Sequence, residues 1–290
     1  MNAYVRTACA LVLVASEARA QGRESMRPLP TRIDPRAPVA AKRLEKVTMY
    51  DSSYHRSRQL WFYTPLGYDA RAATPYPLLI AFDGAVYRDT MPLPFVLDTL
   101  LAKHKAPAFV AVLIDNGGGA ERIADLGNAE AMVTFIGTQI VPYVRAHYRV
   151  TTDPHRVIAA GSSAGGLGSA FLALRRPDIV GNVLSQSGAF WRGAEASNDA
   201  PFEWLTSQVA LLPKQDVRFF MDVGELEDHA TIGGAGPNFR DATRRFRDAL
   251  NAKGYDVMYT EIPGGQHGPP YWSMRLPAGI VHLTSNWSTR

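Results

Sequence analysis

Val157 to Leu167 reads VIAAGSSAGGL, an apolar run that meets Gly161, Ser163 and Gly165 in G-x-S-x-G spacing before a helix-compatible segment. Strand, sharp turn and helix in that order form a nucleophile elbow, which lifts a serine hydroxyl to the end of a sheet. The glycines have a steric reason, because a side chain two residues from the strained serine would collide with a neighbouring strand or helix. Ser162 does not fit the role, since its flanking positions are Ala160 and Ala164. A hydroxyl attacks well only if a base takes its proton, and histidine has the proton affinity for this near neutral pH. His267 is the candidate, on the glycine-rich loop Gly264-Gly265-Gln266-His267-Gly268 directly after the last predicted strand. Its rival, His229, lies in the acidic loop after the preceding strand. His55, His104, His147, His155 and His282 fall in turns or on helices.

A histidine base needs an anionic partner to hold its tautomer. Glu225, Glu227 and Asp228 compete for that place in GELED, and all three follow the seventh predicted strand. An oxyanion forming on a substrate needs backbone N–H donors, one just after the nucleophile and one from the loop after the third strand. Those are expected from Ala164 and Ala85, with Gly84 allowing a tight turn.

These residues must be carried to one place by the elements between them. LEKVTMY and RQLWFYTP alternate as strands around the polar turn Asp51-Ser52-Ser53 and predict an antiparallel hairpin. Six short apolar runs follow, at 77–82, 108–114, 156–160, 179–184, 217–223 and 257–262, reading as strands buried on both faces of a parallel sheet. Helix-length segments lie between them, at 92–104, 129–147, 164–175, 201–211 and 238–253, with a last one after Pro270. The predicted fold is α/β, of the α/β-hydrolase type: a mostly parallel central sheet, an antiparallel N-terminal hairpin and helices on both faces. In such sheets the site lies at the carboxyl ends of the strands, where the candidates fall. Their order, serine, acid, histidine, is that of the α/β-hydrolase triad.

Composition narrows the function classes. With 46% apolar residues among 290, the chain can bury a large core. Met1 to Ala20 has Arg6, an apolar stretch from Ala8 to Ala15 and Ala18-Arg19-Ala20, the features of a secretory signal peptide. An extended, proline-rich segment (21–42) and a catalytic domain (43–290) are expected to follow, in a periplasmic or secreted product. The single cysteine, Cys9, lies inside that leader, which excludes a cysteine nucleophile, a thiolate metal site and a disulfide framework from the mature chain. No lipid anchor is predicted, and no segment offers the roughly 20 uncharged apolar residues of a membrane span. The net charge of +4 would help attract an anionic substrate, while no lysine/arginine block suggests nucleic acid. The chemistry needs no metal or cofactor.

Taken together, LLIAFDGAVY, PFVLDTLLAKHKAPAFVAVLID, the elbow region, MDVGELED and IPGGQHGPPYW resemble the esterase D-like α/β-hydrolases that include ferric enterobactin (enterochelin) esterases. The resemblance runs from about Leu60 to Leu276, and it implies a serine esterase forming an acyl-enzyme. It implies Glu227 as the acid, three residues after the glycine ending the seventh strand. It also places Arg122 and Asn128 in the loop where that family has an R-x-x-E-L-like sequence, here Arg122-Ile123-Ala124-Asp125-Leu126. Intracellular members have an additional N-terminal domain, so this chain is more similar to single-domain, exported ones. Where those enzymes often have two tryptophans, this chain has Trp191 and Arg192. Arg88, Arg122, Trp191 and Arg192 are the candidate contacts for an anionic aromatic ligand such as a catecholate lactone. Feruloyl or acetyl esters of carbohydrates are the alternative substrates, a peptidase is a more remote one, and a non-catalytic binding protein on this scaffold is a different class altogether.

Overall fold

The two opening strands are tied by their turn. In the computed structural model, which describes residues 43–194, 202–228 and 238–287, Leu44–Asp51 (β1) and Arg56–Tyr63 (β2) pair antiparallel. The Asp51 carboxylate accepts the backbone N–H groups of Ser53 and Tyr54 at 2.9 and 3.2 Å, an aspartate-capped turn. The expected leader and extended segment (1–42) and His229 lie outside the described residues.

Six further strands follow: β3 (Leu78–Ala81), β4 (Val110–Ile114), β5 (Val157–Ser162), β6 (Asn182–Gln186), β7 (Arg218–Gly224) and β8 (Asp256–Ile262). They join the hairpin in one sheet of order β1-β2-β4-β3-β5-β6-β7-β8. β2 pairs antiparallel with β4, and every pair from β4 to β8 is parallel. β3 therefore sits between β4 and β5, and the chain leaves it in one direction and returns on the other side. That reversal opens a crevice at the carboxyl ends of β3 and β5.

The helices are α1 (Gly84–Asp89), α2 (Leu93–Ala102), α3 (Gly119–Leu126), α4 (Glu130–Phe135), α5 (Val141–His147), α6 (Ala164–Arg175), α7 (Trp204–Leu211), α8 (Phe239–Ala252) and α9 (Pro269–Thr284). Successive strand residues face opposite sides. Ile80, Val112, Ala159, Val183 and Met221 share one buried cluster with Phe171 of α6 and Phe246 of α8. On the other face α9 lies so close that a β-carbon at Gly279 would come within 2.9 Å of Leu184 and Phe220 side-chain atoms. A fully buried leucine or phenylalanine contributes about 1.5–3 kcal/mol relative to exposure, so these two layers dominate the stability of the sheet.

Four expectations change. Ile179 and Val180 precede β6 instead of starting it, because their N–H groups close a turn on the Arg176 carbonyl at 2.9 and 3.0 Å and cannot join a ladder. β8 is only half-buried along most of its length, since it is the sheet edge. The loops expected at 83–85 and around Arg122 continue into short helices, α1 and α3. The helix expected at 129–147 is interrupted by a π-helical turn at Ile136–Ile140 between α4 and α5.

Candidate active site

β5 ends at Ser162, and Ser163 turns the chain into α6 with φ 57° and ψ −122°. A non-glycine residue held there stores roughly 1–3 kcal/mol of strain, which persists only where surrounding bonds over-determine it. Here they do. The Ser163 carbonyl accepts N–H groups from Gly166, Leu167 and Ala189, and its own N–H donates to Gln186 O at 2.9 Å. The elbow is also tight: a β-carbon at Gly161 would fall well inside 3.0 Å of the Gly165 backbone, and one at Gly165 would touch the Asp83 carboxylate at 3.0 Å. Gly161→Ala is expected to destabilise the fold by roughly 3 kcal/mol, read as a lower midpoint in urea unfolding, because neither backbone can yield without unwinding the start of α6.

Ser163, His267 and Glu227 are brought together from three strand ends. Ser163 Oγ lies 3.0 Å from His267 Nε2, and His267 Nδ1 lies 2.7 Å from Glu227 Oε2. The other carboxylate oxygen of Glu227 accepts the Ser187 hydroxyl at 2.7 Å and the Gly224 N–H at 2.8 Å. The Glu227 side chain is 1% exposed and that of His267 14%, so the acid is sealed beneath a base that reaches solvent. The two loops are stitched to each other: Leu226 N–H donates to Gly265 O at 3.0 Å, and Gly264 N–H donates to the Glu225 carboxylate at 2.9 Å. Glu225 thus ties the loops, and Asp228 faces Arg240 at 3.4 Å, which leaves Glu227 as the carboxylate on His267.

Four neighbours of the triad carry no motif of their own. Ser187, at φ 48°, relays between Glu227 and Trp272, whose indole Nε1–H donates to Ser187 Oγ at 2.9 Å. Trp272 also stands edge-on to the His267 ring at 4.9 Å, and Phe239 packs against that ring at 4.3 Å. Ser187 and Trp272 belong to no motif of catalytic spacing, and nothing in the sequence shows that they meet. The fourth, Asp222, is buried, and Gln186 Nε2 donates to it at 3.2 Å. Burial pushes its carboxyl up to about 7, Arg275 and Gln186 opposing the rise and Glu227 adding to it.

Ala164 is the first residue of α6 and Ala85 the second of α1, at the adjoining ends of β5 and β3. Among the expected ligand contacts, Trp191 stands near the site, edge-on to Phe239 at 6.1 Å. Arg192 is buried, with its guanidinium 4.9 Å over the Trp191 ring. Arg88 and Arg122 each pair with a carboxylate of the chain. Arg88 pairs with Asp89 and lies 4.2 Å over Trp61, while Arg122 forks onto Asp83 at 2.6 and 2.7 Å and reaches Ser162 O at 3.3 Å. Each guanidinium thus has a carboxylate partner, and the two arginine side chains remain 30% and 24% exposed. Asn128, at φ 62°, donates to Gly193 O at 2.7 Å and so anchors the segment carrying Trp191 and Arg192.

The family described as Putative esterase matches residues 52–283. The iron(III) enterobactin esterase of Escherichia coli (strain K12) is 32% identical over 232 residues, which is 79% of this chain and 54% of that protein. The protein of the same description from Dickeya dadantii (strain 3937) is 30% identical over 260 residues, 85% of this chain and 56% of its own. Among solved structures, the enterobactin esterase from Shigella flexneri in the presence of enterobactin superimposes with a TM-score of 0.74 at 22% identity, over 84% of this chain and 59% of that one. A ferulic acid esterase superimposes with a TM-score of 0.67 at 20% identity, over 83% of this chain and 97% of that one. This chain spans just over half the length of the enterobactin esterases it matches in sequence. With the α/β-hydrolase sheet in place and a family match running from residue 52 to residue 283, the chain belongs to this esterase family.

Proposed function

We propose that this protein is a serine esterase that hydrolyses carboxylic esters whose acid part carries an aromatic ring, through an acyl-enzyme. The single observation carrying the reading is the continuous chain from Ser163 Oγ to His267 Nε2 at 3.0 Å and from His267 Nδ1 to Glu227 at 2.7 Å. In the proposed mechanism His267 takes the Ser163 proton as the oxygen attacks the ester carbonyl. The Ala85 and Ala164 N–H groups hold the oxyanion, and Glu227 stabilises the imidazolium. His267 then gives its proton to the leaving alcohol and activates the water that frees the acyl group. Every step is performed by the chain's own side chains and amides.

The substrate class rests on the aromatic surround and the relatives. Phe239 and Trp272 pack against His267 and Trp191 stands edge-on to Phe239, aromatic surface suited to a ring on the acid part of the ester. The names of the relatives favour a catecholate siderophore lactone. A feruloyl ester is the second reading, favoured by the pairing of Arg88 and Arg122 with Asp89 and Asp83, which offsets two of the positive charges that would attract a polyanion. The unit doing this is proposed to be 43–290, exported by the leader at 1–20. Among the described residues no helix is long and apolar enough to cross a membrane.

The test compares kcat/KM for a catecholate trilactone, a feruloyl sugar and p-nitrophenyl acetate, alongside labelling by a fluorophosphonate. The two esters whose acid part carries a ring, the trilactone and the feruloyl sugar, are expected to be the better substrates, with the label on Ser163. No turnover of any ester together with no labelling would replace this reading with a binding protein on a hydrolase scaffold.

A further inference from the structure

Beside the triad, a second buried polar chain runs from the N-terminal hairpin to the turn after β3. It starts at Asp51, whose Oδ2 accepts Arg58 Nε at 2.5 Å. Arg58 forks onto Asp125 of α3, which Arg56 also reaches at 2.6 Å. The Asp125 Oδ2 accepts Asn116 Nδ2 at 3.2 Å, and Asn116 Oδ1 accepts the backbone N–H of Asp83 at 2.9 Å. Arg122 closes the chain by forking onto the Asp83 carboxylate. The side chains of Asp51, Arg58 and Asp125 are at most 2% exposed, and that of Asp83 is 5% exposed.

The direction of each bond matters. An ionised carboxylate only accepts, so Asp125 dictates which end of the Asn116 amide faces it, and the amide oxygen is left to take the Asp83 N–H. Asp83 sits at φ 54°, a left-handed conformation uncommon outside glycine, asparagine and aspartate, and these bonds hold it there. The turn it controls also has no room to drift: a β-carbon at Gly84 would come within 2.7 Å of the Leu113 carbonyl carbon, so the Asp83-Gly84-Ala85 backbone lies directly against β4.

We propose that Asn116 and Arg122 are positioning residues for the reaction, holding the Asp83-Gly84-Ala85 turn so that the Ala85 N–H meets the oxyanion, with Asp125 and Arg58 orienting Asn116 from behind. The proposal rests on the esterase reading and on the oxyanion role of that turn. It assigns Arg122 to the transition state through Asp83, in place of direct contact with the substrate.

Asn116→Ala and Arg122→Gln approach the turn from its amide and its carboxylate sides. Deleting an oxyanion donor outright costs about 100- to 1000-fold in kcat, and misplacing one costs less, so each variant is expected to lose roughly 10- to 100-fold in kcat on p-nitrophenyl acetate. KM should stay within about twofold, because ground-state binding does not use that donor. The second readout is inhibition by an aryl trifluoromethyl ketone. Ser163 Oγ adds to the ketone carbon, its proton passes to His267, and the carbonyl electron pair becomes an oxyanion in the same place. Its affinity should fall in parallel with kcat/KM. Unchanged kcat and ketone affinity in a folded variant would overturn the proposal. So would a rise in KM alone, or failure of both variants to fold, which would assign the chain to stability. Ser163→Ala in the same series separates the two levels: full activity there removes Ser163 as the nucleophile and with it the oxyanion role of the turn, whereas a dead Ser163→Ala beside normal Asn116→Ala and Arg122→Gln removes only the positioning role.

Discussion

Ser163→Ala is expected to lower kcat by roughly a million-fold while leaving KM within a few-fold of the parent, the size of loss typical when a serine nucleophile is removed. At about 1.36 kcal/mol per decade this is about 8 kcal/mol of transition-state stabilisation. The loss is large because the serine oxygen is one end of a concerted unit. With no hydroxyl 3.0 Å from His267 Nε2, the imidazole has no proton to take and Glu227 has no imidazolium to stabilise. Residual catalysis of about a thousand-fold over water is expected from binding and the oxyanion donors. Steady-state kinetics on p-nitrophenyl acetate checks it, with intact mass confirming that the fluorophosphonate adduct is gone. A variant retaining a tenth of parental kcat would place the nucleophile elsewhere.

Glu227→Gln is expected to cost roughly 10,000-fold in kcat with the fold intact, through the tautomer of His267. The carboxylate oxygen that does not face the histidine decides which tautomer forms. Glu227 Oε1 accepts both the Gly224 N–H at 2.8 Å and the Ser187 hydroxyl at 2.7 Å, and the backbone donor cannot be reversed. A glutamine must keep its carbonyl oxygen there, which turns its NH2 group onto His267 Nδ1. The ring then carries its proton on Nε2 and cannot accept one from Ser163. Glu225→Gln and Asp228→Asn serve as controls. Glu225 faces Gly264 N–H and Asp228 faces Arg240, so each is expected to keep kcat within about threefold, as surface substitutions usually do. A large loss in Asp228→Asn with activity retained in Glu227→Gln would reassign the acid.

What could be read from the linear chain was local or repetitive. The elbow is local: Gly161, Ser163 and Gly165 belong to one turn, and the steric demand that selects the glycines acts within five residues. The strands were legible because burial on both faces leaves continuous apolar runs, and the hairpin because one exposed face leaves alternation. Where these signals blur, the reading drifted, as at Ile179 and Val180, which are apolar but belong to a turn, and at β8, whose apolar composition conceals its edge position. The short helices α1 and α3 and the π-helical turn between α4 and α5 leave too few residues for a period to be recognised.

Tertiary structure decided the pairings. Three acids stood within four residues of each other after β7, and which of them faces His267 depends on how two separate loops dock at the sheet end. Ser187 and Trp272 lie 85 residues apart and meet only because β6 and α9 converge on Glu227. The arginines make the same point most plainly. Arg58 and Asp125 are 67 positions apart and Arg122 and Asp83 are 39 apart, and each pair forms because β2, β4 and β3 are adjacent in the sheet. A guanidinium binds a nearby carboxylate whether it comes from a substrate or from the chain. Composition alone leaves that choice open, because strand order, set by the burial of the whole sheet, determines which carboxylate is within reach.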